Sequence, residues 1–100
     1  ATYANAGINP ITKKEAVKAE YVSKLLAVMA TSGLYDDSGL WLYKVGLPAK
    51  SGVGGGIIAV MPGKYGIAAF SPPVDAAGNS VRAQLAIEAI AKKLNVNIFQ

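Results

Sequence analysis

The sequence predicts an α+β fold in which a first helix, antiparallel strands including a hairpin, and a C-terminal helix packed on the sheet follow one another. Three observations support this prediction. Apolar residues recur at helical spacing early in the chain, two short apolar segments bounded by glycine and proline lie in the middle, and a second helical pattern lies near the end. The 100 residues contain no repeat or linker, so we expect residues 1–100 to form one domain or part of one.

The first helix is predicted at residues 13–32. Thr12 and Glu15 have the spacing of a capping box, in which each side chain accepts a hydrogen bond from the backbone N–H of the other. Gly33 is expected to end the helix in the left-handed conformation. The apolar face of this helix is assigned to Val22, Leu25, Leu26 and Met29.

Three strands are predicted next. Residues 34–39 indicate a turn, and residues 40–45 are aromatic and branched, which favours a strand in which Trp41 and Tyr43 pack on one face. Residues 57–61 and 65–70 are predicted to form a hairpin around the turn at 62–64.

The second helix is predicted to run to residue 94, with Asn79 or Ser80 as its N-cap and Asn95 closing it. Its apolar positions are Val81, Leu85, Ile87, Ile90, Ala91 and Leu94. The acidic residues Asp36, Asp37 and Asp75 are interpreted as turn and cap residues rather than as catalytic acids or metal ligands.

Composition excludes several classes of site. There is no cysteine and no histidine, which removes disulfides, thiolate metal sites and Ser-His-Asp catalysis, and no metal site or cofactor is expected. The net charge of +4 is scattered, so nucleic-acid binding is not expected. No apolar run approaches membrane-spanning length, and no signal peptide is evident, which favours a cytoplasmic protein. The 52% hydrophobic content indicates either an Ala- and Val-rich core or a surface that faces more protein.

A glycine-rich segment follows Lys50 and Ser51, since four of the five positions 52–56 are glycine. One interpretation is a strand edge that presents the lysine, the serine and free N–H groups to an anionic or carbonyl ligand. The other is a glycine bulge packed under a helix. A phosphate-binding P-loop is disfavoured, because its glycines would precede the Lys-Ser pair and a helix would follow. Tyr35 is a second candidate, whose hydroxyl either reaches a ligand or only covers the end of the first helix.

Residues 45–57 (VGLPAKSGVGGGI) closely resemble the signature of serine-dependent glutaminases, whose fold is that of serine β-lactamases and penicillin-binding proteins. Residues 35–39 (YDDSG), 61–67 (MPGKYGI) and 71–81 (SPPVDAAGNSV) match further blocks. Residues 5–10 (NAGINP) resemble the family's Asn-Gly-Gly-x-x-Pro element, with Ala6 in place of a glycine.

The resemblance implies hydrolysis of L-glutamine to L-glutamate and ammonia through a serine acyl-enzyme. Such enzymes use a Ser-x-x-Lys motif as nucleophile and base, and no serine of this chain has lysine three positions later. We therefore expect the chain to be the C-terminal part of a β-lactamase-like domain and to be inactive alone. The alternative is a non-catalytic binding or structural module that retains the fold.

The resemblance also assigns site residues. Tyr35 would contact the substrate near the nucleophile, and the backbone N–H of Val53 would bind the developing oxyanion. Lys50 and Ser51 stand where β-lactamases have Lys-Thr-Gly, and would support the site electrostatically and by hydrogen bonding. The expected partners are L-glutamine, the missing N-terminal portion of the same domain, and further copies in a homo-oligomer.

Overall fold

The computed structural model describes all residues 1–100, and its elements are three α-helices, two 3-10 helices of three residues each and one three-stranded sheet. Helix α1 spans Ala19–Ser32 and helix α2 spans Ser38–Val45. Strands β1 (Ala49–Gly52), β2 (Gly56–Met61) and β3 (Tyr65–Phe70) follow, and helix α3 (Val81–Leu94) comes last. The α+β prediction is therefore confirmed, although two of its elements are wrong.

The sheet is antiparallel throughout, in the order β1-β2-β3. Its register places Lys50 opposite Ile58, and Ile58 opposite Ala68. Because side chains alternate along a strand, these three residues share one surface, which we call the outer face. The opposite surface, which we call the inner face, carries Ala49, Ser51, Ile57 and Ala59.

The main core lies on the inner face, where α3 covers the sheet and α2 packs beside α3. Eleven buried residues form this core, among them Trp41 of α2, Ile57 of β2 and Ile87 of α3. The outer face has only a small core of Ala4, Met29 and Val60, where α1 and the N-terminal segment approach the sheet. The predicted packing of the C-terminal helix on the sheet is confirmed.

The start of the first helix is wrong in the prediction, because α1 begins at Ala19 and not at residue 13. The backbone of the intervening residues pairs with the preceding segment instead: the N–H groups of Ala16 and Val17 donate to the Gly7 carbonyl at 2.8 and 3.1 Å. Thr12 and Glu15 form no capping box, since Thr12 Oγ1 accepts from the Lys14 N–H. Backbone pairing with the segment around Gly7 has therefore outweighed the local helix propensity of these residues.

The predicted strand at residues 40–45 is also wrong, because these residues belong to α2. Trp41 and Val45 are four residues apart and both face the core, so a helix buries both. Trp41 also donates from Nε1 to the Leu47 carbonyl at 3.0 Å, which closes the end of the helix. Tyr43 does not pack beside Trp41, since its side chain is exposed.

Gly33 ends α1, but not by the predicted left-handed conformation, since its φ is −74°. Glycine is required there by space: a Cβ at this position would lie 1.7 Å from the Ala49 carbonyl oxygen. Close approach of α1 to β1 is therefore the reason for this glycine.

Three further local predictions are confirmed, namely the hairpin turn, the N-cap of α3 and the end of α3. The β2–β3 hairpin turns at residues 62–64, Ser80 caps α3 by accepting from the Ala83 N–H at 3.1 Å, and Asn95 closes it with φ 55°. The predicted apolar face of α3 is mostly wrong. Ile87 and Ala91 are buried together with Ala83, whereas the other four predicted positions are exposed: Val81, Leu85, Ile90 and Leu94. None of the three helices combines the length and the apolar character that crossing a membrane requires.

Candidate functional site

The structure brings the four predicted site residues to the junction between the end of α1 and the start of the sheet. Tyr35 lies in the short turn Tyr35–Asp37 after α1, Lys50 and Ser51 lie in β1, and Val53 begins the turn after β1. The Lys50 ammonium lies 4.7 Å from the centre of the Tyr35 ring, within the range of a cation–π interaction.

The Gly33 carbonyl joins these segments by accepting three hydrogen bonds. Its donors are Ser51 N at 3.1 Å, Ser51 Oγ at 3.4 Å and Lys50 Nζ at 3.3 Å. Ser51 is only 4% exposed, so its hydroxyl serves this internal contact. The edge of β1 is therefore less bare than predicted, because the Ser51 amide is already bonded.

The glycine-rich segment forms the turn between β1 and β2. Gly52 pairs with Gly56, and Gly55 N donates to the Gly52 carbonyl at 3.0 Å. Gly55 has φ 111°, and a Cβ there would lie 2.8 Å from the backbone nitrogen of Pro72. The interpretation as a bulge packed under a helix is wrong. A Cβ added at Gly52 or at Gly54 would have no other atom within 4 Å, so no helix lies against these glycines.

Val53 begins this turn, and its backbone N–H has no hydrogen-bond acceptor within the chain. The residue is 69% exposed and lies outside the β1–β2 ladder. The Tyr35 hydroxyl likewise has no partner within the chain, and Tyr35 is 45% exposed. An N–H donor and a phenol hydroxyl without partners in the chain therefore belong to two exposed residues of the same part of the surface.

A loop before α3 holds the Tyr35 and Val53 side chains together. A Cβ on Gly78 would lie 3.5 Å from both the Tyr35 ring and a Val53 methyl group. Gly78 has φ 100°, which favours glycine. The sequence indicated a loop at this position but gave no sign that the loop contacts Tyr35.

Asp75 organises this loop by accepting hydrogen bonds at Oδ1 from the N–H groups of Ala77, Gly78 and Asn79, at 3.0–3.1 Å. Its Oδ2 accepts from the Gln84 side-chain amide at 3.0 Å. The Gln84 bond and then the backbone N–H groups lower the pKa of Asp75 below its ordinary value of 3.8, while partial burial opposes them. The interpretation of Asp75 as a turn residue agrees with these contacts.

An apolar groove of about 530 Å³ lies between α1 and the outer face of the sheet. Tyr21, Leu25 and Val28 of α1 line one wall, and Ile58 lines the other. Lys50 also lines the groove, so the groove reaches the residue that contacts the Tyr35 ring. The predicted site residues therefore stand beside an open apolar surface.

The arrangement can stabilise negative charge on a carbonyl oxygen but contains no activated nucleophile. The unsatisfied Val53 amide is a suitable oxyanion donor, and Lys50 adds a positive charge nearby. The one serine among the predicted residues, Ser51, is buried and bonded to Gly33. The roles assigned to Tyr35, Lys50, Ser51 and Val53 stay predictions.

Comparison with known proteins gives a consistent result. A family model described as glutaminase matches residues 1–99. A glutaminase of Colwellia psychrerythraea is 62% identical over 97 residues, which cover 97% of this chain and 31% of that protein. Glutaminase 1 of Escherichia coli is 56% identical over 100 residues, which cover 32% of its length. The chain thus spans about a third of the length of these relatives.

Solved structures agree with the sequence matches. A probable glutaminase, YbaS, superposes with a TM-score of 0.97 at 56% identity. The match covers all of this chain and 32% of the YbaS chain. The Bacillus subtilis glutaminase YbgJ, in covalent complex with 5-oxo-L-norleucine, superposes with a TM-score of 0.91 at 33% identity over 98% of this chain and 36% of its own. The expected likeness to part of a β-lactamase-like glutaminase domain is confirmed.

Proposed function

The chain belongs to the glutaminase family, and we propose that the full-length protein hydrolyses L-glutamine to L-glutamate and ammonia through a serine acyl-enzyme. The observation that carries the proposal is the unpaired Val53 amide, in a residue whose side chain and the Tyr35 ring both lie against Gly78, with the Lys50 ammonium over the same ring. Family membership supports the reaction, and the geometry supports the part that this chain plays in it.

The reaction has two steps. A serine hydroxyl attacks the side-chain carbonyl of glutamine, its proton passes to the leaving nitrogen, and ammonia departs as the ester forms. Water then cleaves the ester, which releases glutamate and restores the serine. In both steps the carbonyl oxygen gains negative charge, which the Val53 N–H would stabilise.

The chemistry reported for the Bacillus subtilis relative is consistent with this scheme. Its covalent adduct, 5-oxo-L-norleucine, arises by reaction of the protein with 6-diazo-5-oxo-L-norleucine. The ketone of that amino acid stands at the carbon that bears the amide in glutamine. A group of the relative therefore bonds covalently to a glutamine-like ligand, as an acyl-enzyme mechanism requires.

Within this chain, Tyr35 is proposed to contact the substrate near the nucleophile. Lys50 is proposed to support the negative charge of the transition state. Ser51 is proposed to act by holding the Gly33 carbonyl, and through it the end of α1, against β1. The nucleophile and its lysine lie in the part of the protein outside residues 1–100, since this chain has no Ser-x-x-Lys.

The groove beside Lys50 is proposed to receive that missing portion, because the matched relatives are about three times as long as the aligned segment. A chain of 100 residues would then be one part of a single larger domain.

We also propose a homo-oligomer in the cytoplasm, a setting consistent with the cysteine-free sequence. Light scattering of the full-length protein and cell fractionation test these two proposals.

The experiment is an ammonia-release assay on the full-length protein with L-glutamine, repeated on residues 1–100 alone. We expect turnover by the full-length protein and none by the isolated chain. Glutamine binding without turnover by the full-length protein would favour the non-catalytic alternative. Turnover by the isolated chain would contradict the proposal that its nucleophile lies elsewhere.

The role of Tyr35 is tested by Tyr35→Phe in the full-length protein, which removes only the hydroxyl. We expect kcat to fall about 10²-fold, the lower end of what a positioned acid–base or donor group contributes. Tyr43→Phe is the matched control, because Tyr43 is exposed on α2. This substitution is expected to leave kcat unchanged. Unchanged kinetics for Tyr35→Phe would remove Tyr35 from the site.

A further inference from the structure

Tyr35 has an unusual backbone conformation. Its φ of 52° lies in the left-handed region, which a bulky residue rarely adopts and which costs about 1–3 kcal/mol. Such a conformation persists only where the surrounding structure holds it. The groups that hold Tyr35 therefore decide where its side chain points.

The peptide groups on both sides of Tyr35 are held by side chains. The Leu34 carbonyl, which belongs to the peptide group before Tyr35, accepts from Asn79 Nδ2 at 3.0 Å. The Tyr35 carbonyl, which belongs to the peptide group after it, accepts from Ser38 Oγ at 2.8 Å. Because φ of Tyr35 describes rotation next to the first of these peptide groups, the Asn79 bond acts directly on the strained angle.

Asn79 is suited to this task because it is completely buried and its own backbone is fixed. Its N–H donates to Asp75 Oδ1 at 3.0 Å, and its carbonyl accepts from Asp75 N at 2.8 Å. The preceding residue, Gly78, lies against the Tyr35 ring. One rigid loop thus contacts both the backbone and the ring of the tyrosine.

The Asn79 side chain satisfies only one of its two polar ends. Its Oδ1 is buried and has no donor within the chain, which costs about 1–3 kcal/mol for a group of this kind. The bond to Leu34 joins residues 45 positions apart, and it is the one hydrogen bond that the buried side chain makes.

We propose that Asn79 is a positioning residue that holds Tyr35 in its left-handed conformation and so directs the Tyr35 hydroxyl to the substrate; the catalytic part of this inference rests on the proposed glutaminase function. Asn79 acts through Tyr35 and does not itself touch the substrate. The Asp75 loop supplies the fixed frame from which Asn79 acts.

The first test is kinetic and uses the full-length enzyme well below its melting temperature. Asn79→Ala is expected to lower kcat about 10- to 100-fold, because small misplacements of a catalytic group have effects of this size. In the Tyr35→Phe background the same substitution is expected to change kcat less than twofold, since the hydroxyl that it positions is gone. Effects that multiply in the double variant would overturn the proposal.

Ser80→Ala is the matched control. Ser80 is also fully buried and adjoins Asn79, but it caps α3 and makes no bond to the Tyr35 segment. It is expected to lower the melting temperature and leave kcat unchanged. If Asn79→Ala behaved in the same way, Asn79 would have only a structural role and the proposal would be wrong.

Asn79→Asp provides a second variant of nearly identical shape, should the alanine variant not fold. A carboxylate cannot donate to the Leu34 carbonyl, whereas a protonated carboxyl group can. Burial and the neighbouring Asp75 carboxylate both raise the pKa of a carboxyl group at position 79. We therefore expect the ratio of variant to wild-type kcat to rise as the pH is lowered from 8 to 6, and a constant ratio would contradict the proposal.

A crystal structure of full-length Asn79→Ala separates this inference from the proposed function. We expect φ of Tyr35 to leave the left-handed region when the Asn79 bond is lost. An unchanged Tyr35 would overturn the positioning role whatever the activity. A displaced Tyr35 in the variant, together with a wild-type protein that releases no ammonia, would uphold the positioning role and refute the glutaminase proposal.

Discussion

The two faces of the sheet differ in how completely they are packed. The inner face is closed by α2 and α3 over eleven buried residues, whereas the outer face has three, next to the open groove beside α1. Both faces are built from the same three strands, so strand composition alone does not explain the difference. The inner layer therefore supplies most of the buried core of this chain, while the outer face stays largely open.

The predicted site lies on the boundary between these layers. Ser51 points to the closed side and bonds to Gly33, while Lys50, the next residue back, lies on the open side. Alternation along one strand thus gives one residue to the scaffold and its neighbour to the groove. A site in this place has a rigid support on one side and access on the other.

A matched pair of isoleucines measures the difference between the faces. Ile87 is fully buried on the inner side and Ile58 is 44% exposed on the outer face. In the 100-residue chain, Ile87→Ala is expected to cost about 2–5 kcal/mol of unfolding free energy by leaving a cavity. Ile58→Ala should cost less than about 1 kcal/mol, because much of its side chain is already in water.

Urea unfolding of both variants gives these free energies. In the full-length protein the cost of Ile58→Ala should rise toward that of Ile87→Ala if the missing portion packs on the outer face. Equal costs in the isolated chain would show that the outer face is already closed, which would break the comparison.

A matched pair of glycines probes the point where the two faces meet. Gly33 joins α1 to β1, and a Cβ there would lie 1.7 Å from the Ala49 carbonyl oxygen. Gly33→Ala is therefore expected to destabilise the chain by about 1–3 kcal/mol or more, because backbone must move to make room. Gly39→Ala in α2 meets nothing within 4 Å and should stabilise by about 0.5–1 kcal/mol through helix propensity.

Thermal unfolding of the two glycine variants is the measurement. The Gly33 variant should also lose the contacts that the Gly33 carbonyl accepts from Ser51 and Lys50. A Gly33→Ala variant as stable as the wild type would show that α1 can move away from β1 freely. The boundary would then not be the rigid support that the site requires.

Sequence reasoning succeeded where a signal is local. The Ser80 cap, the Asn95 end of α3 and the turn at residues 62–64 each depend on neighbours a few positions away, and all three were predicted correctly. It failed at residues 13–18 because their backbone pairs with the segment around Gly7. It failed at residues 40–45 because β-propensity depends on surroundings that the sequence does not display.

The candidate site was predictable only in part. Lys50, Ser51, Tyr35 and Val53 were singled out by a family resemblance, and the structure brings them to one region. The bond from Asn79 to Leu34 has no local pattern, because it joins residues 45 positions apart. The free amide of Val53 likewise depends on where β1 stops pairing with β2, which residue types do not fix.

The smallest expected effect concerns Asp75, whose loop connects the closed inner layer to the site. Because its pKa in the folded chain is lowered, the unfolded chain binds a proton first as the pH falls. The stabilisation is therefore complete above about pH 4, the ordinary range for aspartate, and is lost as the pH falls through the folded pKa. Asp75→Asn removes this titration while keeping an oxygen that can accept the loop N–H bonds.

Melting temperatures measured between pH 3 and 7 test whether the Asp75 carboxylate stabilises the fold. The difference between wild type and Asp75→Asn should be small and constant from pH 5 to 7 and should shrink below about pH 4. Gln84→Leu, which removes the largest cause of the lowered pKa, should weaken the pH dependence. If the difference between wild type and Asp75→Asn stayed constant down to pH 3, the carboxylate bonds would not hold the loop. The frame that fixes Asn79 against the Leu34 carbonyl would then have to come from the backbone bond between Asp75 N–H and the Asn79 carbonyl.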